Sequence, residues 1–103
     1  MIARVWKGAT RAEDADTYLE YPRRTGLAEY AGTEGHRSTI TLRRIDGERA
    51  EFLLLTLWES MDAVRRFAGD DDPLRAVFYP EDDRYLVSRD DRVTHFEVVD
   101  QQP

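Results

Sequence analysis

The chain has 103 residues, 41% hydrophobic and 35% charged, the balance of an ordinary globular domain rather than of a disordered or membrane-embedded one. Twenty-one Asp and Glu against fifteen Lys and Arg leave a net charge of −6, which argues against a nucleic-acid or anionic-membrane partner, because holding phosphates needs a concentrated basic patch. With no cysteine, disulfides, thiol nucleophiles and thiolate metal sites are excluded, and a reducing cytoplasm is the expected location.

Residues 2–7 alternate as a strand, with Ala3 and Val5 on one face and Ile2, Arg4 and Trp6 on the other. This start lacks the basic region and long apolar core of a signal peptide, so export is not expected. Gly8 is expected to end the strand. Thr10 followed by Glu13 has the form of a capping box, which predicts a helix carrying Ala12, Ala15, Tyr18 and Leu19 on one stripe. Pro22 predicts an end or kink near Tyr21, since proline lacks the backbone donor and clashes with the preceding turn. Residues 25–35 then read as a short helical turn and loop.

Residues 37–45 alternate around Ile40 and Leu42, and Asp46-Gly47 is a strong hairpin signal. The next strand, FLLLTLW at 52–58, is apolar on both faces and forms the longest greasy run, well short of the roughly 20 residues that span a bilayer. Ser60 is placed to cap a second helix, with Asp62 in its first turn and Met61, Val64, Phe67 and Ala68 on one side. The run Asp70-Asp71-Asp72-Pro73 breaks that helix, and residues 74–78 are expected to form another helical turn before Tyr79-Pro80. Residues 92–99 alternate as the last strand, with Val93, His95, Glu97 and Val99 opposite Thr94, Phe96 and Val98. A polar tail follows from about residue 100.

The order strand, helix, strand, strand, helix, strand is that of a ferredoxin-like α+β domain over residues 1–103, with two helices on one face of a four-stranded antiparallel sheet. Such a small domain covers one sheet face with its own helices. The second apolar face of FLLLTLW therefore predicts a homodimer.

Each candidate functional residue has a chemical and a packing reading. His95 has the pKa range of a general base, but a strand histidine also serves as a half-buried cross-sheet hydrogen bonder. His36, beside Gly35, reads as a solvated loop residue. Trp58 suits stacking on a planar phenol, yet needs no ligand as a strand-end core residue. Among five tyrosines, Tyr18 and Tyr79 are the choices for a pocket lining, with a dimer contact as the alternative. Arg4 and Arg43 can stabilise an anion or pair with acids such as Glu51 and Glu97; Arg43 and Arg44 point to opposite faces. Consecutive carboxylates at 70–72 do not converge as metal ligands, so no metal site is expected. No phosphate loop or dinucleotide fingerprint is present.

The opening MIARVWKG strand, the GHRSTITLRR arm and above all LLLTLWESMDAVRRFAGDDD resemble the antibiotic biosynthesis monooxygenase (ABM) family of the dimeric α+β barrel superfamily. The likeness runs from residue 1 to about residue 99, and in its last segment a hydrophobic strand ends in Trp58 and passes through Glu59-Ser60 into the second helix. The resemblance implies two sheets packed face to face in a dimeric barrel, with a pocket in each protomer between sheet and helices. Members include cofactor-free oxygenases of aromatic polyketides, haem-degrading enzymes and quinol oxygenases. It thus implies a homodimer binding a hydrophobic or aromatic metabolite, with His95, Trp58 and Tyr79 as catalytic candidates and Trp6, Tyr18, Phe67 and Arg43 as substrate-binding ones. A cofactor-independent monooxygenase would use the substrate's own phenolate or enolate as electron source. A non-catalytic ligand-binding or stress-related dimer and a cyclase or isomerase are the alternatives. The family's haem degraders often use a helix histidine or an asparagine near the first strand; neither histidine here is on a predicted helix and the chain has no asparagine, so no cofactor is expected.

Overall fold

A computed structural model describes residues 1–24, 30–80 and 82–103. Its elements are β1 (Ile2–Arg11), α1 (Ala15–Arg24), β2 (His36–Asp46), β3 (Arg49–Trp58), α2 (Met61–Ala68), the four-residue α3 (Asp82–Tyr85), β4 (Leu86–Arg89) and β5 (Thr94–Glu97). The antiparallel sheet runs β2-β3-β1, and β4 and β5 divide the far edge of β1 between them. β4 pairs with Gly8, Ala9 and Thr10, and β5 with Ile2 to Val5. This is the ferredoxin-like α+β arrangement, with the fourth sheet position shared by two short strands instead of filled by one. The expected last strand over 92–99 is correspondingly shorter.

Several local expectations yield to strand pairing. Gly8 does not end β1, which stays paired with β3 as far as Arg11↔Arg49. Here glycine admits the Trp6 indole, since a Cβ would stand 2.3 Å from its Cη2. Thr10 forms no capping box: it lies in the strand with its hydroxyl donating to the Arg11 carbonyl at 2.9 Å, and α1 is entered through one 3-10 turn, Ala12–Asp14, that has no side-chain cap. α1 continues past Pro22 to Arg24; so near the helix end, proline forfeits only a backbone bond of the last turn. The first part of the turn expected over 25–35, residues 25–29, lies outside the described residues, and residues 30–32 are helical. Residues 74–78 form no helical turn. Val93 N–H donates to the Leu74 carbonyl and Ala76 N–H to the Asp91 carbonyl, both at 2.8 Å, tying that segment in extended form to the chain before β5.

The hairpin and second helix follow the sequence. Gly47 takes φ +63° in the β2–β3 turn. Ser60 Oγ accepts from the Ala63 N–H at 3.3 Å as N-cap of α2, and Gly69, at φ +98°, closes the helix with its N–H on the Arg65 carbonyl.

Directly paired residues share a sheet face. The register therefore puts Ile2, Arg4, Trp6 and Gly8 of β1 on one side with Trp58, Thr56, Leu54 and Phe52 of β3. Two separate cores form there. Ala15, Tyr18, Ala50 and Phe52 pack with Leu19, Tyr85 and Leu86 at the hairpin end; Trp58, Ala63 and Val64 pack with Ile2, Tyr30, Met61, Phe67 and Ala68 at the other. The opposite face carries Val5, Leu53, Leu55 and Leu57, with Ile40, Leu42 and Phe96 46%, 49% and 55% exposed. No helix among the described residues is long and apolar enough to cross a membrane.

Urea unfolding will separate the two kinds of contribution. Ser60→Ala is expected to cost about 1 kcal/mol through the lost cap. Phe52→Ala is expected to cost about 3–5 kcal/mol through the cavity it leaves.

Candidate functional site

Between the two cores the helix side of the sheet is only partly covered. Leu54 pairs with Trp6 on one flank and Thr41 on the other. Trp6 and Leu54 are half-buried and Thr41 is exposed, whereas Phe52 and Thr56, two residues to either side of Leu54, are buried. The row Trp6, Leu54, Thr41 is therefore an incompletely covered strip across the sheet. Trp6 is fixed by its indole N–H, which donates to the Asp90 carbonyl at 2.9 Å, and its ring meets Phe78 edge-on.

One flank of this strip is an aromatic cluster. Trp58 stacks on Phe67 with centroids 5.5 Å apart, Tyr30 lies 4.6 Å from Phe67, and His36 meets the Trp58 edge at 5.2 Å while stacking on Tyr30 at 5.9 Å. His36 reaches this position because β2 pairs it directly with Trp58. The turn before it depends on Gly35, at φ +93° with Ala63 pressed against it, whose carbonyl accepts the Glu59 N–H at 2.8 Å. His36 Nε2 lies 2.8 Å from Thr39 Oγ1. Burial lowers the His36 pKa, partly offset by a backbone hydrogen bond at Ser38, so the imidazole is neutral at pH 7.

Behind Phe67 sits a buried cation. The Arg4 side chain, in a residue only 5% exposed, donates to the carbonyls of Pro73 at 2.5 Å and Arg75 at 3.0 Å, and its guanidinium lies 5.9 Å from the Phe67 centroid. No carboxylate pairs with it among the described residues. Burial lowers its pKa, but a guanidinium remains charged at any ordinary pH. His95 Nε2 lies 3.0 Å from Arg4 Nη1. Because a guanidinium only donates, the imidazole nitrogen must accept, which places the His95 proton on Nδ1. Burial first, and then the Arg4 charge, lower the His95 pKa. A polar chain joins this end to the cluster: Trp58 Nε1–H donates to Thr56 Oγ1 at 2.8 Å, and Thr56 Oγ1–H to the Arg4 carbonyl at 3.5 Å.

The other residues singled out from the sequence are placed as follows. Tyr18 is buried in the hairpin-end core against Phe52 and donates to Asp82 Oδ1 at 3.2 Å. Burial first, and then the carboxylate, drive its phenol pKa far upward, so it stays protonated. The other Asp82 oxygen accepts the Tyr79 N–H at 2.8 Å, and burial raises the Asp82 pKa. Arg43 bridges β2 to α1 through Asp16 at 2.6 Å, while Arg44, on the opposite face, takes Glu51. The structure thus brings Trp58 and Phe67 together in one cluster and leaves Trp6 in the strip beside it, with Tyr18 in the hairpin-end core, Arg43 on Asp16 and His95 on Arg4. Sequence reasoning assigned no role in a site to His36 or Tyr30. The available signal for His36 was its position opposite Trp58 once the Asp46-Gly47 turn sets the hairpin register.

Both histidines have folded-state pKa values below their unfolded ones, so their contribution is present above about pH 6.5 and is lost as pH falls through the lowered values. Thermal melting is expected to show falling stability below that point. In His95→Gln, which keeps an acceptor for Arg4, the fall is expected to be shallower.

No family model and no curated protein matches the chain. Solved structures do. A Bacillus cereus protein provisionally assigned as an antibiotic biosynthesis monooxygenase matches with a TM-score of 0.67 and 14% identity, over 99% of this chain and 96% of that one. A variant of MhuD with two manganese protoporphyrin IX molecules bound per active site matches with a TM-score of 0.64 and 20% identity, over 100% and 99% of the two chains. The heme-degrader MhuD from Mycobacterium tuberculosis, with two hemes bound in its active site, matches with a TM-score of 0.58 and 21% identity over the whole of both. Identities this low speak to the fold. Along nearly its whole length the chain has the ferredoxin-like α+β fold of the antibiotic biosynthesis monooxygenase-like proteins.

Proposed function

We propose that this chain binds a planar aromatic metabolite bearing an acidic phenol or enol over the incompletely covered strip of Trp6, Leu54 and Thr41, and oxidises it as a cofactor-independent monooxygenase. The observation that carries this reading is the Arg4 guanidinium, a buried positive charge that has no carboxylate partner among the described residues and lies beside an aromatic cluster. A buried charge is costly unless compensated, so the site favours a ligand that brings the missing negative charge. The half-buried Phe67 and Tyr30, backed by the buried Trp58, supply the apolar surface for its rings.

In this reading the neutral His36 takes the substrate proton, and the field of Arg4 stabilises the resulting anion. The anion passes one electron to dioxygen, and the radical pair joins as a carbon-bound hydroperoxide with the proton returned. Loss of water from the hydroperoxide leaves a carbonyl. A CH2 group and O2 thus become C=O and H2O, with all electrons from the substrate. His95 acts through Arg4, accepting one of its N–H groups and so orienting the guanidinium.

An iron porphyrin, as bound by MhuD, fits these residues poorly. Both imidazoles lie on strands; His95 Nε2 is held against a guanidinium, and His36 Nε2 is held by Thr39 within an aromatic stack. His95 Nε2 is thereby unavailable to an iron, His36 must leave Thr39 to act as ligand or base, and the reaction above routes no step through haem.

A second reading, ligand binding without turnover, is favoured by the engagement of His95 by Arg4. An oxygen electrode with anthrone as substrate separates the two. The oxygenase reading expects one O2 consumed per anthraquinone formed, and a loss of about 10²–10⁴-fold in His36→Ala. Binding of anthrone without oxygen uptake would favour the second reading, product formation under anaerobic conditions would point to a cyclase or isomerase, and absence of binding would end both oxygenase and binding readings.

We also propose that the protein works as a homodimer joined through the open sheet face, whose Leu55, Val5 and Ile40 form one apolar row. A stable dimer buries about 1,200–2,000 Å² in total. Sedimentation is expected to give a dimer for the native chain and a folded monomer for Leu55→Glu.

A further inference from the structure

We infer that Thr39 is the positioning residue of His36: its hydroxyl donates to Nε2, keeps the imidazole in the form protonated on Nδ1, and yields that nitrogen to the hydroxyl of an arriving substrate. The inference rests on the reading of His36 as the base and deepens it, because it names the group that reaches the ring as an acidic O–H and not an ether.

A β-bulge makes the pair. Along a regular strand, residues three apart point to opposite sides of the sheet. His36 and Thr39 do not, because the register of β2 against β3 shifts between them: His36 pairs with Trp58, Ser38 with the adjacent Leu57, and Thr39 with Thr56. Arg37 is the extra residue, and a bulge of this kind re-aims the side chains on either side of it. Trp58 and Thr56 are both buried on the helix side, so His36 and Thr39 are turned to that side together. The result is a 2.8 Å separation of Nε2 and Oγ1 between two half-buried residues.

The other contact of the ring assigns the protons. The backbone hydrogen bond at Ser38 raises the His36 pKa, so a ring N–H is its donor. A neutral imidazole has one N–H and one acceptor nitrogen; with the N–H given to Ser38, Nε2 accepts from the Thr39 hydroxyl. The charged groups nearest the ring are engaged elsewhere. Arg37 takes Glu59 at 3.1 Å, and Arg66 donates to the Glu34 carbonyl at 3.3 Å. Tyr30 meets the imidazole as a stacked ring. A phenol or enol O–H is a stronger donor than an aliphatic hydroxyl, so it replaces Thr39 at Nε2 and then passes its proton to that nitrogen.

Nitrogen NMR of the imidazoles reads tautomer and pKa without turnover. The native chain is expected to carry the His36 proton on Nδ1, Thr39→Val to lose that preference and raise the His36 pKa, and Thr39→Ser to restore both. Naphthol is expected to move the His36 Nε2 signal saturably, while methoxynaphthalene, which has no O–H, leaves it in place. In oxygen uptake with anthrone, kcat is expected to fall about tenfold in Thr39→Val with KM unchanged within about twofold, and to recover in Thr39→Ser. A threonine that only supports the strand would move neither the tautomer nor kcat. The proposal is overturned by a native His36 protonated on Nε2, by a folded Thr39→Val with the native tautomer, or by an Nε2 signal indifferent to millimolar naphthol; the first and last need no variant to fold. The expected tautomer and naphthol response without oxygen uptake would uphold the pair and end the oxygenase reading alone, whereas uptake with the proton on Nε2 would do the reverse.

Discussion

The pairing of β1 with β3, residue by residue from Ile2↔Trp58 to Arg11↔Arg49, is the constraint on which the other features rest. A strand alternates its side chains with period two, so a slip of one residue would exchange the faces of every side chain in one strand relative to the other. In the observed register Trp58 and Phe52 meet the helices, Arg4 goes to the buried side, and Leu53, Leu55 and Leu57 go to the open one. β3 then passes the same alternation to β2. That step brings His36 to Trp58 and separates Arg43, which meets α1, from Arg44, which meets Glu51.

Two centres on the helix side show how burial and partners divide polar residues between structural and chemical roles. Tyr18 and Asp82 satisfy each other and the Tyr79 N–H, and burial favours their protonated forms. That cluster is closed on itself. Arg4 is different: two carbonyls and an imidazole satisfy N–H donors, but neutral dipoles do not cancel its charge. A residual field of this kind is what an anionic ligand would answer, and it lies beside the cluster of Trp58, Phe67, Tyr30 and His36. The likeness to proteins that bind flat, conjugated molecules concerns the same fold, built here with two strand-borne histidines.

Local signals were legible where they acted over a few residues. Asp46-Gly47 made the hairpin, Ser60 capped α2, and the alternation of FLLLTLW gave its two faces correctly. They were misleading where a longer pairing competed with them. Thr10 and Glu13 had the spacing of a cap, but Thr10 was drawn into the sheet by Ala50 across from it; Leu74 to Phe78 had helical composition, but the chain before β5 supplied hydrogen bonds to an extended form. β4 is only four residues long, too short to announce itself by periodicity. The same limit applied to the site. Aromatic candidates such as Trp58 and Phe67 could be named from one strand and one helix, whereas His36 gained its place from a register and Arg4 from carbonyls some seventy residues away.

By itself, then, the sequence determined the order of the main elements, the apolar character of both faces of β3 and the absence of thiol chemistry, because each follows from residue type and short-range spacing. Tertiary structure alone decided which arginine is buried, which histidine joins the aromatic cluster and that the fourth sheet position is split. These depend on distances between segments far apart in the chain, and period-two alternation turns a single register choice into the contents of both faces.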